Sequence, residues 1–600
     1  MYQPPRSGHR RALKLTALVG LCFLLVVVAV LNIVPPATGY EISLYGAYPR
    51  YFWIALIGAI FSGQLVILGS AIYGEQRDRS WVFGVALILV SDAILLLMPY
   101  IRGYPIYGRG DVLTHLGYVK DLSEVGIDGN IYPLMHLHVQ ALSHASGLPP
   151  STVINLLPVV VSFVCFGGMF YLVVGLFDRT QALFCLPFVT VPFVGGSHSL
   201  VVPFTLSVLF VPFVLYVLFK EQQTTAISIR VALVVTIAAA ALYHPLTAFM
   251  MLPVYGMYVG LKRAEPFRSR WQGPTKVASL ATVIFAAWYL RLYGIINRFE
   301  TVYERVLGRA ESASELDTYV GTVNTYSPRL VDLVEFILLR YGVGMLLFGL
   351  ATVFIAFALY RWLSSREGQN LFPLFFSCAF LLFAGLSVAF LLNNFIAGWG
   401  RPLAIGKIFA AVLSASFFYY LWSDDVPPGR SIITLSLAVC LLSLAVLSLL
   451  SVYPTLEATQ NNHQVTEMEI DGTEWMLENR NSEIPLDGHR LAQYRFEHLH
   501  NGTLNETIRR YETRRPPDHF GYDRSEVLGA FYEQDRYLMV NRLGEETYPK
   551  QFPGYEEHWR FTPDDFAQLD DDRSVSLIYD NGEVKTYYVR TTSDQDPGGG

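Results

Sequence analysis

Cysteine is scarce in this 600-residue chain, and its placement excludes several kinds of site. A disulfide framework or a cysteine-based zinc site needs cysteines in polar or loop segments at characteristic spacings. The last 150 residues hold no cysteine at all. No cysteine stands at an exposed position beside His and Arg, so a cysteine nucleophile is also excluded. We assign packing roles to the five cysteines, all within apolar runs: Cys22, Cys165, Cys185, Cys378 and Cys440.

Lysine is scarce too, since it supplies only 8 of the 44 basic residues. Residues 451–600 contain 29 acidic and 15 basic residues, a balance of −14, whereas the rest of the chain is at +8. An acidic, lysine-poor exterior is typical of a high-salt organism such as a haloarchaeon, where salt screens self-repulsion. A codon bias towards arginine explains the same counts. The uneven charge indicates two parts in two compartments.

Long apolar runs dominate the rest of the sequence. Apolar residues make up 52% of the chain and the mean hydropathy is +0.36, which is typical of an α-helical polytopic membrane protein. A membrane helix needs about 20 apolar residues, and about thirteen runs qualify, within a range of 11 to 14. We place them at 15–34, 51–73, 81–101, 153–177, 181–194, 200–219, 230–243, 246–261, 277–294, 334–360, 371–391, 403–421 and 431–452.

Basic residues set the expected orientation. Arg6, Arg10, Arg11 and Lys14 precede the first run, and every second loop thereafter is basic, which places the N-terminus in the cytoplasm. Thirteen spans then put the C-terminal part outside a cell membrane. The expected divisions are a cytoplasmic tail (1–14), a transmembrane domain (15–452) with outer loops 102–152 and 295–333, and an extracytoplasmic α/β domain (453–600).

The C-terminal part carries its own signals. Two sequons make Asn501 and Asn505 candidate glycosylation acceptors, which suits an outward compartment. Alternating residues flank Asp580-Asn581-Gly582 and predict a β-hairpin over 574–589. Helical spacing is expected around 467–478.

The first long loop, 102–152, combines charge with amphipathic helices. Asp111 occupies the position of an N-cap, and apolar residues at helical spacing follow it. This predicts a helix lying along the membrane surface. Tyr132-Pro133 opens a second helix that ends near Gly147. Asp111 is therefore either a helix cap, a base that accepts a proton from a hydroxyl, or both.

These features resemble the GT-C superfamily, the multi-spanning glycosyltransferases that use polyprenyl-phosphate-linked sugars. The resemblance covers most of the chain and depends on Gly110-Asp111, Tyr132-Pro133, His244-Pro245, a long later loop and the C-terminal domain. It implies a GT-C-like bundle. The chain departs from the family in three ways: its candidate loop follows the third span rather than the first, the tail lacks Trp-Trp-Asp-Tyr-Gly, and the second outer loop lacks an Asp-x-Asp pair.

The resemblance implies an inverting sugar transfer in which Asp111 is the base. Such a reaction also needs cations for the departing lipid phosphate. Arg401 and Lys407 are the first candidates, followed by Arg291, Arg340 and Arg109. The alternative for such cations is snorkelling or an ion pair between helices.

Histidines are the other polar residues near the expected outer face, and His136 and His244 are the candidates for a substrate cavity. No cofactor is required, and no ligand motif supports a divalent metal. The expected partners are a dolichyl- or polyprenyl-phosphate-linked sugar, a glycan, glycoprotein or lipid acceptor, and membrane lipids. No nucleic acid is expected. Two alternatives remain open, a lipid-linked glycan flippase or transporter and a non-catalytic scaffold of surface-glycan assembly.

Overall fold

The structure is a computed structural model, and it places most of the chain. The residues it describes are 6–74, 78–127, 130–224, 226–263, 276–292, 296–297, 300, 303–304, 314–365, 371–393, 398–423, 429–508, 516–524 and 526–592.

The described residues between 6 and 450 are mainly helical. In chain order they form α1 (Arg6–Ile33), α2 (Arg50–Tyr73), α3 (Ser80–Leu96), α4 (Met98–Ile101), β1 (Ile106–Tyr107), α5 (Asp111–Val125), α6 (Pro133–Ser146), α7 (Pro150–Leu176), α8 (Arg179–Val189), α9 (Pro203–Gln222), α10 (Ile227–Tyr243), α11 (Pro245–Arg263), α12 (Val277–Tyr289), α13 (Glu315–Tyr326), α14 (Leu330–Ser365), α15 (Leu371–Leu392), α16 (Gly400–Ser423) and α17 (Arg430–Leu450).

Every one of the thirteen predicted apolar runs contains a helix, and eight of the described helices are long and apolar enough to cross a membrane. These eight are α1, α2, α7, α9, α14, α15, α16 and α17. Three further apolar helices, α3, α10 and α12, are shorter. The chain is thus a helical, polytopic membrane protein with a small C-terminal sheet.

The third predicted run is broken rather than continuous. The helix stops at Leu96 and resumes as α4 at Met98. Pro99 has no N–H to donate to the Leu95 carbonyl and its ring crowds that oxygen, which ends a helix. The Tyr453 hydroxyl donates a 2.5 Å hydrogen bond to the Leu95 oxygen instead.

The two predicted loop helices are confirmed, with one correction at the first. Helix α6 ends before Gly147, which adopts the left-handed conformation that favours glycine. Helix α5 begins at Asp111 itself, so Gly110 rather than Asp111 is at the N-cap. Asp111 stands instead in the first turn, where the helix dipole favours a carboxylate.

Residues 453–592, here called the tail region, form a small α/β unit. Its elements are β2 (Gln464–Val465), α18 (Glu467–Asn479), β3 (Leu486–His489), α19 (Gln493–Asn501), β4 (Arg536–Asn541), α20 (Arg542–Gln551), α21 (Pro563–Leu569), β5 (Val575–Asp580) and β6 (Val584–Val589). The sheet order is β3-β4-β6-β5, with β3 parallel to β4 and the other pairs antiparallel. The predicted hairpin is β5–β6, and the predicted helix is α18.

The tail region packs directly on the first long loop. Strand β1 pairs antiparallel with β2, and α19 lies against α5. The helices approach closely at Gly117, where a Cβ would lie 2.6 Å from the His498 carbonyl oxygen. Asp121 accepts hydrogen bonds from the backbone N–H and the hydroxyl of Thr503. This docking brings tail side chains to the start of α5.

Candidate active site

Asp111 lies on the surface at the start of α5 and is paired with a residue of the tail region. Its side chain is 64% exposed, and Arg495 Nη1 donates a 2.5 Å hydrogen bond to its Oδ1. Arg495 belongs to α19, is 17% exposed and lies over the Tyr494 ring. The carboxylate is therefore accessible to a substrate while one cation already contacts it.

A buried pair of histidines lies beneath Asp111. His115, one helical turn further along α5, places Nδ1 3.0 Å from His136 Nε2. The side chain of Asn130 in turn contacts His136 Nδ1 at 2.8 Å. Burial lowers the pKa of His115 to about 4, with Arg495 lowering it and Asp111 raising it. Burial and the neighbouring His115 also lower the pKa of His136, so both rings are neutral near pH 7.

A row of rings extends from these histidines to Arg401. His115 meets the edge of Tyr132 at 6.0 Å, and Tyr132 stacks on His244 at 5.3 Å with nearly parallel planes. The next contacts reach Phe204 and Arg401. His244 meets the edge of the Phe204 ring at 5.4 Å, and the Arg401 guanidinium lies 5.2 Å from the centre of that ring.

Together these contacts form one continuous row of side chains from a carboxylate to a guanidinium, in which His115, His136 and His244 are buried. We call it the candidate surface, and its members are Asp111, His115, Tyr132, His136, His244, Phe204 and Arg401. The residues come from α5, α6, α9, the α10–α11 junction and the start of α16. Only folding brings them together.

Arg109, predicted as a phosphate-binding residue, contacts the tail region. Its guanidinium donates to both carboxylate oxygens of Glu469 and to the Gln464 carbonyl, and it lies over the Tyr40 ring. The Arg109 side chain is 13% exposed and that of Glu469 only 2%. These contacts use three of its N–H groups, and through them Arg109 joins the first long loop to the tail region.

Lys407 is also remote from the candidate surface. It lies buried in α16, six residues after Arg401, with its Cε 3.3 Å from where a Cβ of Gly344 would be. Six residues turn a helix by about 240°, so Lys407 and Arg401 face different neighbours. The structure does not bring Lys407 to the candidate surface.

Two other predicted cations, Arg291 and Arg340, lie against aromatic rings. The Arg291 guanidinium lies 4.0 Å from the centre of the Trp288 ring at the end of α12. Arg340 lies beside Tyr341, whose ring packs on Trp399, two residues before Arg401. Arg340 is therefore close in the fold to the turn that carries Arg401.

The remaining predicted residues concern glycosylation and metals. Asn501 is the last residue of α19, and Asn505 donates a hydrogen bond to the Asn501 carbonyl. Within the residues that the structure describes, no group of three or more His, Cys, Asp or Glu side chains could hold a metal ion.

Sequence reasoning missed Arg495, His115 and Asn130. His115 could have been predicted as a neighbour of Asp111, since it follows Asp111 by four residues on the same helix. Arg495 gave no signal, because nothing in the sequence indicates that α19 docks on α5.

No family model and no curated protein matches the sequence, but solved structures of glycosyltransferases show a similar chain arrangement. The mycobacterial arabinofuranosyltransferase AftD is 14% identical, with a TM-score of 0.44 over 86% of this chain and 40% of AftD, so this chain spans less than half of that enzyme. The Archaeoglobus fulgidus oligosaccharyltransferase, solved with a tethered acceptor peptide containing a sequon, is 11% identical, with a TM-score of 0.46 over 84% of this chain and 74% of the enzyme. ArnT from Cupriavidus metallidurans is 10% identical, with a TM-score of 0.42 over 84% of this chain and 98% of ArnT.

Proposed function

We propose that this chain is an inverting membrane glycosyltransferase of the GT-C kind. It transfers a sugar from a dolichyl- or polyprenyl-phosphate donor to a glycan, glycoprotein or lipid acceptor at the outer face. The observation that carries the proposal is the candidate surface, which joins an accessible carboxylate to a guanidinium at the N-terminus of a membrane helix.

Asp111 supplies the base. The acceptor oxygen attacks the anomeric carbon, its proton passes to Asp111, and the bond to the phosphate oxygen breaks with its electron pair leaving on the lipid phosphate. The transition state resembles an oxocarbenium ion. An exposed carboxylate at the start of α5 can meet an acceptor hydroxyl without rearrangement of the bundle.

Arg401 receives the leaving phosphate. It is the second residue of α16, and the N–H groups and dipole of a helix N-terminus favour an anion at that place. A planar guanidinium adds the bidentate hydrogen bonding that phosphate prefers. Arg340 and Arg291 are the next candidates.

The Arg495 ion pair is compatible with this role. Pairs between exposed groups contribute about 0–1 kcal/mol, and the Asp111 carboxylate is mostly exposed. An acceptor hydroxyl therefore displaces Arg495 at little cost.

Two buried polar residues favour transport as the second candidate. Lys407 and Asp92 both lie inside apolar helices, where ionisable side chains commonly mark a transport path. A lipid-linked glycan flippase would move the donor between leaflets and form no new glycosidic bond.

The purified protein in vesicles separates the two functions. It is given a panel of polyprenyl-phosphate sugars labelled in the sugar, together with crude surface glycans as acceptors. We expect label to appear in an acceptor with one donor, at the expense of lipid-linked label. Transbilayer movement of the donor without any transfer would favour the flippase, and neither activity across the panel would favour the scaffold.

A further inference from the structure

The tail region contains a cleft that the proposed reaction does not use. Its cavity volume is about 630 Å³. The β3–α19 turn forms one side, and α20 and the segment before α21 form the other. Tyr494, Tyr548 and Phe561 provide aromatic walls.

Two buried polar atoms in this cleft have no hydrogen-bond partner among the residues that the structure describes. They are Gln493 Nε2 and His489 Nε2, in side chains that are more than nine-tenths buried. Buried polar groups in folded proteins nearly always find partners. Both residues line the cleft, and because the Gln493 amide nitrogen is itself covered, the side chain has to turn outward before a ligand with oxygen acceptors can satisfy it.

The cleft is also cationic. Arg490, Arg560 and Arg109 line it, and no carboxylate is among its lining residues. Arg109 is held by Glu469 and Arg560 by Asp518, and Arg490 is exposed at the rim. Burial is the largest cause that lowers the pKa of His489 to about 4, and the charges of Arg490 and Arg560 contribute to this shift. The charges of Arg490 and Arg560 therefore both affect the part of the cleft that His489 lines.

Arg490 has an unusual backbone for a residue with a side chain. Its φ is +57°, in the left-handed region, where Cβ makes the conformation unfavourable. Such residues persist where the surrounding structure holds them, often at binding sites. Here the turn brings the Arg490 guanidinium to the rim of the cleft.

The cleft lies beside the residues that contact Asp111. Tyr494 lines the cleft, and Arg495, which lies over the Tyr494 ring, contacts the Asp111 carboxylate. A saccharide that occupies the cleft therefore has a short path to the candidate base.

We propose that the tail cleft binds an anionic saccharide, with a carboxylate or phosphate at Arg490 and ring oxygens at Gln493. The identification of this saccharide as part of the acceptor rests on the proposed function. The aromatic walls would contact the apolar faces of the sugar rings.

Isothermal titration of the full-length protein in detergent tests the proposal. The probes are a glucuronate-containing disaccharide, a glucose phosphate and a neutral glucose disaccharide. We expect one of the two anionic probes to bind at least tenfold more tightly than the neutral one, and which of them binds identifies the anion. Arg490→Asn should weaken that binding at least tenfold, and Gln493→Met should weaken it as well. Asn is chosen because it tolerates the left-handed backbone.

Arg573→Asn is the matched control, because it removes the same charge from an exposed tail residue that does not line the cleft. It should bind like the wild type. Equal affinity for charged and neutral probes, no binding of either anion, or unchanged binding by Arg490→Asn would overturn the proposal. Saccharide binding should persist in Asp111→Asn. The titration therefore tests saccharide binding in the cleft independently of whether the protein transfers sugar.

Discussion

Among the described residues, two ion pairs join the first long loop to the tail region, and they differ in how far their side chains are buried. Arg109–Glu469 is almost fully enclosed, whereas Asp111–Arg495 leaves its carboxylate largely in solvent. The sequence places Arg109 and Asp111 two residues apart and gives no sign of this difference. Their partners lie more than 350 residues further along the chain, and only tertiary docking distinguishes an anchor from an accessible base.

Removing one side of the enclosed pair should be costly. Arg109→Ala leaves the Glu469 carboxylate buried without its cation, and such losses amount to about 3–5 kcal/mol. Arg495→Ala removes the more exposed pair and should cost less than about 1 kcal/mol. Urea unfolding of the detergent-solubilised variants measures both. Similar losses for the two variants would contradict this assignment of roles.

Arg401 should matter for donor binding rather than for folding. Arg401 lies at the start of α16, and its guanidinium contacts the Phe204 ring. Arg401→Ala therefore removes the proposed phosphate ligand and little packing. We expect binding of a labelled polyprenyl phosphate to weaken at least tenfold, with Arg401→Lys intermediate because it lacks the planar fork. Arg361→Ala, at the far end of α14, is the control. Wild-type affinity in Arg401→Ala would move the phosphate site towards Arg340 or Arg291.

At the level of elements, local patterns were sufficient for helices α5 and α6 and for the β5–β6 hairpin. Helical spacing after Asp111, Pro133 at a helix start and Asn581-Gly582 at a turn are short-range signals. The β1–β2 pair and the docking of α19 on α5 join distant segments, and two-residue strands have no sequence signature. The candidate base could thus be predicted, but not its surroundings.

The buried contact between His115 of α5 and His136 of α6 should make the folded protein less stable at acid pH. The groups around His115 are His136 and Tyr132 of the neighbouring segment, Asp111 and Tyr118 of its own helix, and Arg495. Unfolded histidine has a pKa near 6.5, and the folded pKa of His115 is about 4. The unfolded state therefore binds more protons in this window. Stability is fully present above about pH 6.5 and falls by roughly 3 kcal/mol as the pH drops towards 4.

Thermal unfolding measured from pH 7.5 to 4.5 checks this expectation. His115→Asn should lose the part of the acid sensitivity that His115 contributes, while His136 and His489, whose pKa values burial also lowers, keep theirs. An equally steep decline in the variant would show that other groups cause it.

For the whole molecule, orientation decides whether the candidate surface faces outward. Ser482 in the tail region and Ser228 at the start of α10 are exposed serines on opposite expected sides. In intact cells, an impermeant maleimide should label Ser482→Cys and leave Ser228→Cys unlabelled. The reverse pattern would place the candidate surface in the cytoplasm.

The most direct test is sugar transfer by Asp111→Asn, with donor binding measured on the same preparation. Asp111 follows the N-cap residue Gly110, and Asn preserves the size of its side chain, so the variant should fold and bind donor like the wild type. Glu124→Gln, on an exposed position in the last turn of α5, is the matched control. We predict transfer reduced at least a hundredfold in Asp111→Asn, as expected for loss of a general base, and unchanged in Glu124→Gln. Undiminished transfer by Asp111→Asn would contradict the role of Asp111 as the base.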